Sequence, residues 1–244
     1  MNQIPSQFHA ALSLVLGWLL VFRTNTAYNR WWEARTLWGA LVNASRNLSL
    51  KLTCVGNLPS ADLRRAQGLI VAFPWALCRH LRGEVHEKLS DEIKAIAGDR
   101  QHVPLELARQ LYEIVAQARA ARHIDGDDLR ILDAELLRLM DICGACERIL
   151  KTRIVRSYRV FARQCVILFL TTLPWGVVHD FDVWCVPLTF ISAYFMLGLE
   201  IVAEHVEEPF GYDEDDLDLE ALCSTIQSSV DEVFNAKLET ISCN

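Results

Sequence analysis

Residues 164–199 read QCVILFLTTLPWGVV, then HDFD, then VWCVPLTFISAYFMLGL, and this stretch decides the fold. Neither apolar run holds a charge, although 23% of the 244 residues are Asp, Glu, Lys or Arg. A hydrocarbon core of about 30 Å takes roughly 20 apolar residues per helix. The runs count 15 and 17 residues, and they reach that length if Arg163 and Glu200 sit at the interface with their heads in water. His179-Asp180-Phe181-Asp182 then makes the turn of a membrane hairpin. Pro174 lies near its outer end, where a kink is easily absorbed. The alternative is a pair of buried core helices in a soluble protein.

Working outward, FHAALSLVLGWLLVF at 8–22 is a third uncharged run, lengthened if Arg23 is interfacial. Arg23, Arg30 and Arg35 follow it, so its C-terminal end belongs in the cytoplasm and its N-terminus outside. Arg153, Arg156, Arg159 and Arg163 precede the hairpin, three or four apart on one helix face, which makes that end cytoplasmic too. Residues 1–7 carry no basic n-region, and no small-residue cleavage site follows the run. An outside N-terminus with no device to export it implies a missing preceding helix.

The remaining segments read as helices. Ser60 is a plausible N-cap for a stripe of Leu63, Leu69, Ile70, Phe73 and Leu77. Pro104 suits a first helical turn, with Leu107, Leu111, Ile114 and Val115 behind it. Gly126 breaks that helix, and Asp127 or Asp128 caps the next, whose stripe is Leu129, Leu132, Leu136 and Leu139. From Asp216 another amphipathic helix carries Leu222, Ile226, Val230 and Val233. No alternating β pattern competes. The fold class is therefore all-α: an integral membrane helical bundle with a helical cytoplasmic region. Its segments are 1–50, a membrane helix and its extension; 51–152, a cytoplasmic helical region; 153–203, the hairpin; and 204–244, an acidic loop and terminal helix.

The net charge of −7, with its acidity gathered after residue 203, argues against a nucleic-acid partner. The eight cysteines (54, 78, 143, 146, 165, 185, 223, 243) are scattered through apolar or helical segments. They read as small free hydrophobes rather than a disulfide framework. Cys143 and Cys146 have the spacing of a redox or zinc half-site, but no second pair lies at a suitable distance. They pack instead as helix core. His80, His86 and His102 form no ligand pattern, and no nucleophile elbow or phosphate loop exists, so no enzyme is expected.

Three membrane helices cannot enclose a water-filled path, so transport requires several subunits around an axis. Leu14, Trp18 and Phe22 recur on one face of the first helix. Thr24, Asn25, Thr26 and Asn29 follow, polar but uncharged. An apolar constriction opening into a polar vestibule is how dewetting gates are built. The plain alternative is ordinary packing against lipid or neighbouring helices.

The stretch Phe22-Arg23-Thr24-Asn25-Thr26-Ala27-Tyr28-Asn29-Arg30-Trp31-Trp32-Glu33-Ala34-Arg35, followed by Leu37-Trp38-Gly39, resembles the signature of the bestrophin family in its bacterial branch. Gly144-Ala145-Cys146-Glu147-Arg148, Leu173-Pro174, Glu208-Pro209-Phe210-Gly211 and residues 216–226 extend the resemblance over nearly the whole chain. It implies a homopentameric ion channel in the bacterial inner membrane, multi-pass, whose partners are the lipid bilayer and small inorganic ions. The family has four membrane helices, and the second lines a narrow apolar neck. Leu14, Trp18 and Phe22 fall at the neck, with Trp18 departing from the usual Ile and Phe pattern; Asn25 and Asn29 face the vestibule below.

Family members conduct chloride and other anions in animals and plants, while some bacterial ones are similar to cation channels. Residues 207–216 look like the calcium site of animal bestrophins, with Glu208, Asp213 and Asp216 as the ligands expected here. Glu208 and His205 stand where that pattern has amides, and a solvated, helix-capping loop is the alternative. No other cofactor is implied. Counting back from Cys146 places the family's cytoplasmic aperture near Ile124–Asp128. A ring of Asp127 carboxylates there favours cations, unless Asp127 merely caps the following helix. A non-conducting membrane scaffold and a redox enzyme built on Cys143 and Cys146 are the rival functions.

Overall fold

A computed structural model describes residues 6–55, 57–84, 93, 98 and 100–242; His86 and Cys243 lie outside them. The described elements are α1 (Ser6–Cys54), α2 (Ser60–Leu81), α3 (Val103–Ala120), α4 (Gly126–Lys151), α5 (Arg156–Phe181), a 3-10 turn (Asp182–Trp184), α6 (Cys185–Val206) and α7 (Leu219–Ser242). No strand occurs among the described residues. The chain divides into two units: Met1–Glu33 with Thr152–Asp216, and Ala34–Lys151 with Leu217–Asn244. Helix α1 passes without a break through the boundary between them.

In the first unit α5 and α6 form the hairpin. Leu16 and Leu20 of α1 pack with Val166, Phe169 and Leu173 of α5 in one buried cluster. The apolar windows within Gln7–Cys54 and Arg156–Val206 are long enough to cross a membrane, yet only 22% and 11% of them are buried. Core helices of a soluble protein would be mostly covered, whereas here Phe190, Tyr194 and Phe195 stand in the open. The turn comes slightly later than its sequence suggests, because α5 continues to Phe181 and Asp182 reverses the chain at φ +47°. Arg153 does not share the face of Arg156, Arg159 and Arg163, since α5 starts only at Arg156.

The second unit is a helical bundle in which α2 packs on α3 and α7, and α3 on α4. The predicted stripes of α2 and α3 are buried, as are Leu132, Leu136 and Leu139 of α4. In α7 the buried line is Leu219, Cys223, Ile226, Val230 and Phe234, which leaves Leu222 and Val233 at its margins. Two local expectations fail. Ser60 is the first helical residue, behind Pro59, and makes no cap bond. The break after α3 is made by Arg122 at φ +62°, while Gly126 opens α4.

Candidate pore-lining face and acidic loop

Every third or fourth residue of α1 returns to one face, and its two faces differ sharply. Leu14, Trp18 and Phe22 are 66%, 61% and 57% exposed, and the rings of Trp18 and Phe22 lie 5.9 Å apart. Asn25, Thr26 and Asn29 continue the exposed line. The Thr26 hydroxyl donates back to Phe22 O at 2.7 Å, so the amides of Asn25 and Asn29 are the polar groups this face offers. The opposite face carries Leu16, Leu20, Arg23 and Ala27, all buried.

Arg23 and Glu200 do not hold their heads in water as their positions beside apolar runs suggest. Arg23 Nε donates to Glu200 Oε2 at 2.8 Å, with Glu207 Oε2 3.7 Å from Nη1. The three side chains are 1%, 5% and 1% exposed. Burying a guanidinium is tolerable only beside such carboxylates. Glu207 also receives the Ile154 N–H at 3.2 Å, while its carbonyl accepts from Arg30 Nε at 3.2 Å. Arg30 further reaches the Thr152 carbonyl, and Trp31 Nε1 donates to Asp215 O at 3.0 Å. Arg23, Arg30 and Trp31 therefore strap the acidic loop and the entry to α5 onto α1. Composition and periodicity cannot signal this strap, because its partners lie 122 to 184 positions away.

In the acidic loop, Glu208 pairs with Arg153 at 2.8 Å. Asp216 Oδ2 accepts the Asp213 N–H at 2.8 Å, and Asp216 N–H returns to Asp213 O at 3.0 Å. A Cβ on Gly211 would come within 2.6 Å of that Oδ2, so the turn needs glycine there. Glu208 is thus paired with an arginine, and one oxygen of Asp216 is held by the loop's own backbone.

A family model described as bacterial/fungal bestrophin protein matches residues 1–232. The chain belongs to this bestrophin family. Bestrophins are membrane ion channels, not enzymes. The chain is 34% identical over 230 residues to a voltage-dependent anion channel-forming protein of Nostoc sp., spanning 91% of this chain and 75% of that one. A protein of the same description from Synechocystis sp. is 34% identical over 243 residues, spanning 95% and 78%. A crystal structure of a bacterial bestrophin homologue from Klebsiella pneumoniae superposes with a TM-score of 0.88 at 26% identity, covering 96% of this chain and 89% of that one.

In this bestrophin, Asp127 is exposed and ion-paired with Arg130. The cap of α4 belongs to Asp125, whose Oδ1 receives the N–H groups of Asp127 and Asp128 at 2.8 Å each. Asp128 Oδ2 takes the Asp125 N–H at 2.9 Å in return, which completes a capping box. Those bonds hold the Asp125 carboxyl below its ordinary range. Asp127 is thus not the cap that its position suggests. Cys143 and Cys146 are buried, and burial beside Glu147 pushes the Cys143 thiol up to about 12. A thiol so rarely ionised is a poor nucleophile. His80 and His102 do converge, on Glu147, although their spacing gives no hint of it.

Proposed function

We propose that this bestrophin is one subunit of a homopentameric anion channel of the bacterial plasma membrane. In this reading Leu14, Trp18 and Phe22 form the apolar neck, and Asn25 and Asn29 line the vestibule below it. The observation that carries the reading is the two-sidedness of α1. A helix that spends one face on a buried core and an ion network leaves the other face, apolar and then polar without charge, for something else. Lipid suits Leu14, Trp18 and Phe22 but not the two asparagines, whereas a water-filled axis accommodates both parts. The relatives described as anion channel-forming support the sign of the ion. Arg130 beside Asp127 weakens the case for an acidic ring that selects cations.

The test is flux and reversal potential in bilayers under a potassium chloride gradient, with subunit count taken by native mass measurement. Replacing Leu14, Trp18 and Phe22 together with alanine lowers the dewetting barrier and raises flux. A tight bilayer with the oligomer intact would instead support a scaffold, and unchanged flux in the triple variant would move the neck elsewhere.

A further inference from the structure

The second unit gathers metal-binding chemistry that the channel reading does not use. His80 Nε2 lies 2.9 Å and His102 Nε2 2.7 Å from the same Oε1 of Glu147. The three donor atoms all fall within 4.8 Å of one another, and this is the only such set of three among the described residues. The imidazoles face each other at 4.5 Å, tilted by 35°. They come from three helices: His80 from the last turn of α2, His102 from the residue before α3, and Glu147 from the last turns of α4. The side chains are 26%, 34% and 16% exposed, which gives an ion a way in and leaves a coordination position open to water.

We infer that His80, His102 and Glu147 bind a divalent transition metal ion, with zinc the best match, and that the ion pins the ends of α2, α3 and α4 together. Two imidazoles and one carboxylate suit zinc, cobalt or iron, whereas calcium and magnesium want oxygen alone. Metal–ligand bonds of about 2.0–2.1 Å in a tetrahedron put neighbouring donors about 3.3 Å apart. The two histidine–carboxylate separations, 2.9 and 2.7 Å, therefore need to lengthen by only about half an ångström. The other Glu147 oxygen is held by Lys151 Nζ at 2.9 Å, which orients the carboxylate from behind as a second ring of contacts does in metal sites. Cys143 Sγ, 4.0 Å from Oε1, stands beside the open position.

One local cost sharpens the test. His102 Nδ1 accepts the Leu105 N–H at 3.1 Å, so in this state the ring proton sits on Nε2. A metal at Nε2 moves that proton to Nδ1, where it meets a second donor, and the α3 cap bond breaks. Losing one cap lowers affinity on the order of fivefold, small against three coordinate bonds. The rival is a self-satisfied hydrogen-bonded cluster in which both histidines donate to Glu147.

The experiment titrates the full chain, purified in detergent and stripped with chelator, with cobalt and then with zinc in competition. We expect one ion per chain at micromolar affinity and a visible cobalt spectrum of low coordination number. A thiolate charge-transfer band would appear if Cys143 enters and vanish in Cys143→Ser. His80→Gln and Glu147→Gln, checked for unchanged helicity and oligomer size, should each weaken binding about a hundred-fold. Absence of saturable binding below about 1 mM, or wild-type affinity in either variant, overturns the site. Either result leaves the conduction measurements untouched, since binding is read without flux.

Discussion

Removing Arg23 should destabilise the membrane unit more than removing Arg23 and Glu200 together. At 2.8 Å from Glu200 and 3.7 Å from Glu207, Coulomb's law with an effective dielectric of about 20 gives gross attractions of roughly 6 and 4 kcal/mol. Desolvation of three buried ions offsets most of that, so the net worth of the network is small. Breaking it is another matter. Arg23→Met strands Glu200 with only Arg163 at 3.8 Å, and such stranding costs about 3–5 kcal/mol. For a chain of this size that corresponds to a drop in melting temperature on the order of 10 °C. Arg23→Met with Glu200→Met removes one of the two stranded carboxylates, leaving Glu207 with the Ile154 N–H, and should recover part of the loss. The assay is thermal unfolding of the detergent-purified oligomer, followed by intrinsic fluorescence and by retention of oligomer size. Equal melting of Arg23→Met and wild type, or a double variant that melts below the single one, would refute the reasoning.

Two further outcomes are expected. Glu106 accepts from Arg109 Nε at 2.9 Å and Gln110 Nε2 at 3.1 Å, which lowers its carboxyl from 4.5 to about 2. A depressed folded value means stability present above the unfolded value and lost as the pH falls from about 4.5 towards 2. Glu106→Gln should cost about 1 kcal/mol at neutral pH, given that Arg109 is half exposed, and its melting curve should merge with that of the wild type only as the pH falls to about 2. In α4, Asp125→Ala should lower the melting temperature while Asp127→Asn leaves it unchanged. A reversal potential that moves towards anions in Asp127→Asn would return Asp127 to the ion path, and the opposite order of stabilities would return it to the cap.

The hairpin, the apolar stripes of α2, α3 and α4, and the two-sided α1 are legible in the sequence because each rests on local periodicity and hydropathy. What escapes is long-range pairing. A charge beside an apolar run reads as its boundary, yet Arg23 lies inside the packed unit because Glu200, 177 positions away, neutralises it. His80 and His102 look unrelated for the same reason, since Glu147 stands 67 and 45 positions from them. His102 also caps α3, a role that the usual serine, threonine and aspartate preferences conceal. Local backbone choices escape too, because Arg122 at a positive φ does what Gly126 is expected to do.

The exposed residues 14, 18, 22, 25 and 29 of α1 and its buried residues 16, 20, 23 and 27 interleave along one helix and on into the signature. Adjacent positions such as Phe22 and Arg23 therefore serve different masters. A substitution at Phe22 should change flux and spare folding, and one at Arg23 should change folding first. Phe22 is 57% exposed and sets its ring near that of the similarly exposed Trp18, so truncating it removes little buried area. Arg23, fully covered and doubly paired, has no such freedom. The division by face, more than the motif as a whole, is what ties the signature to both the stability of the bundle and the proposed path of the ion.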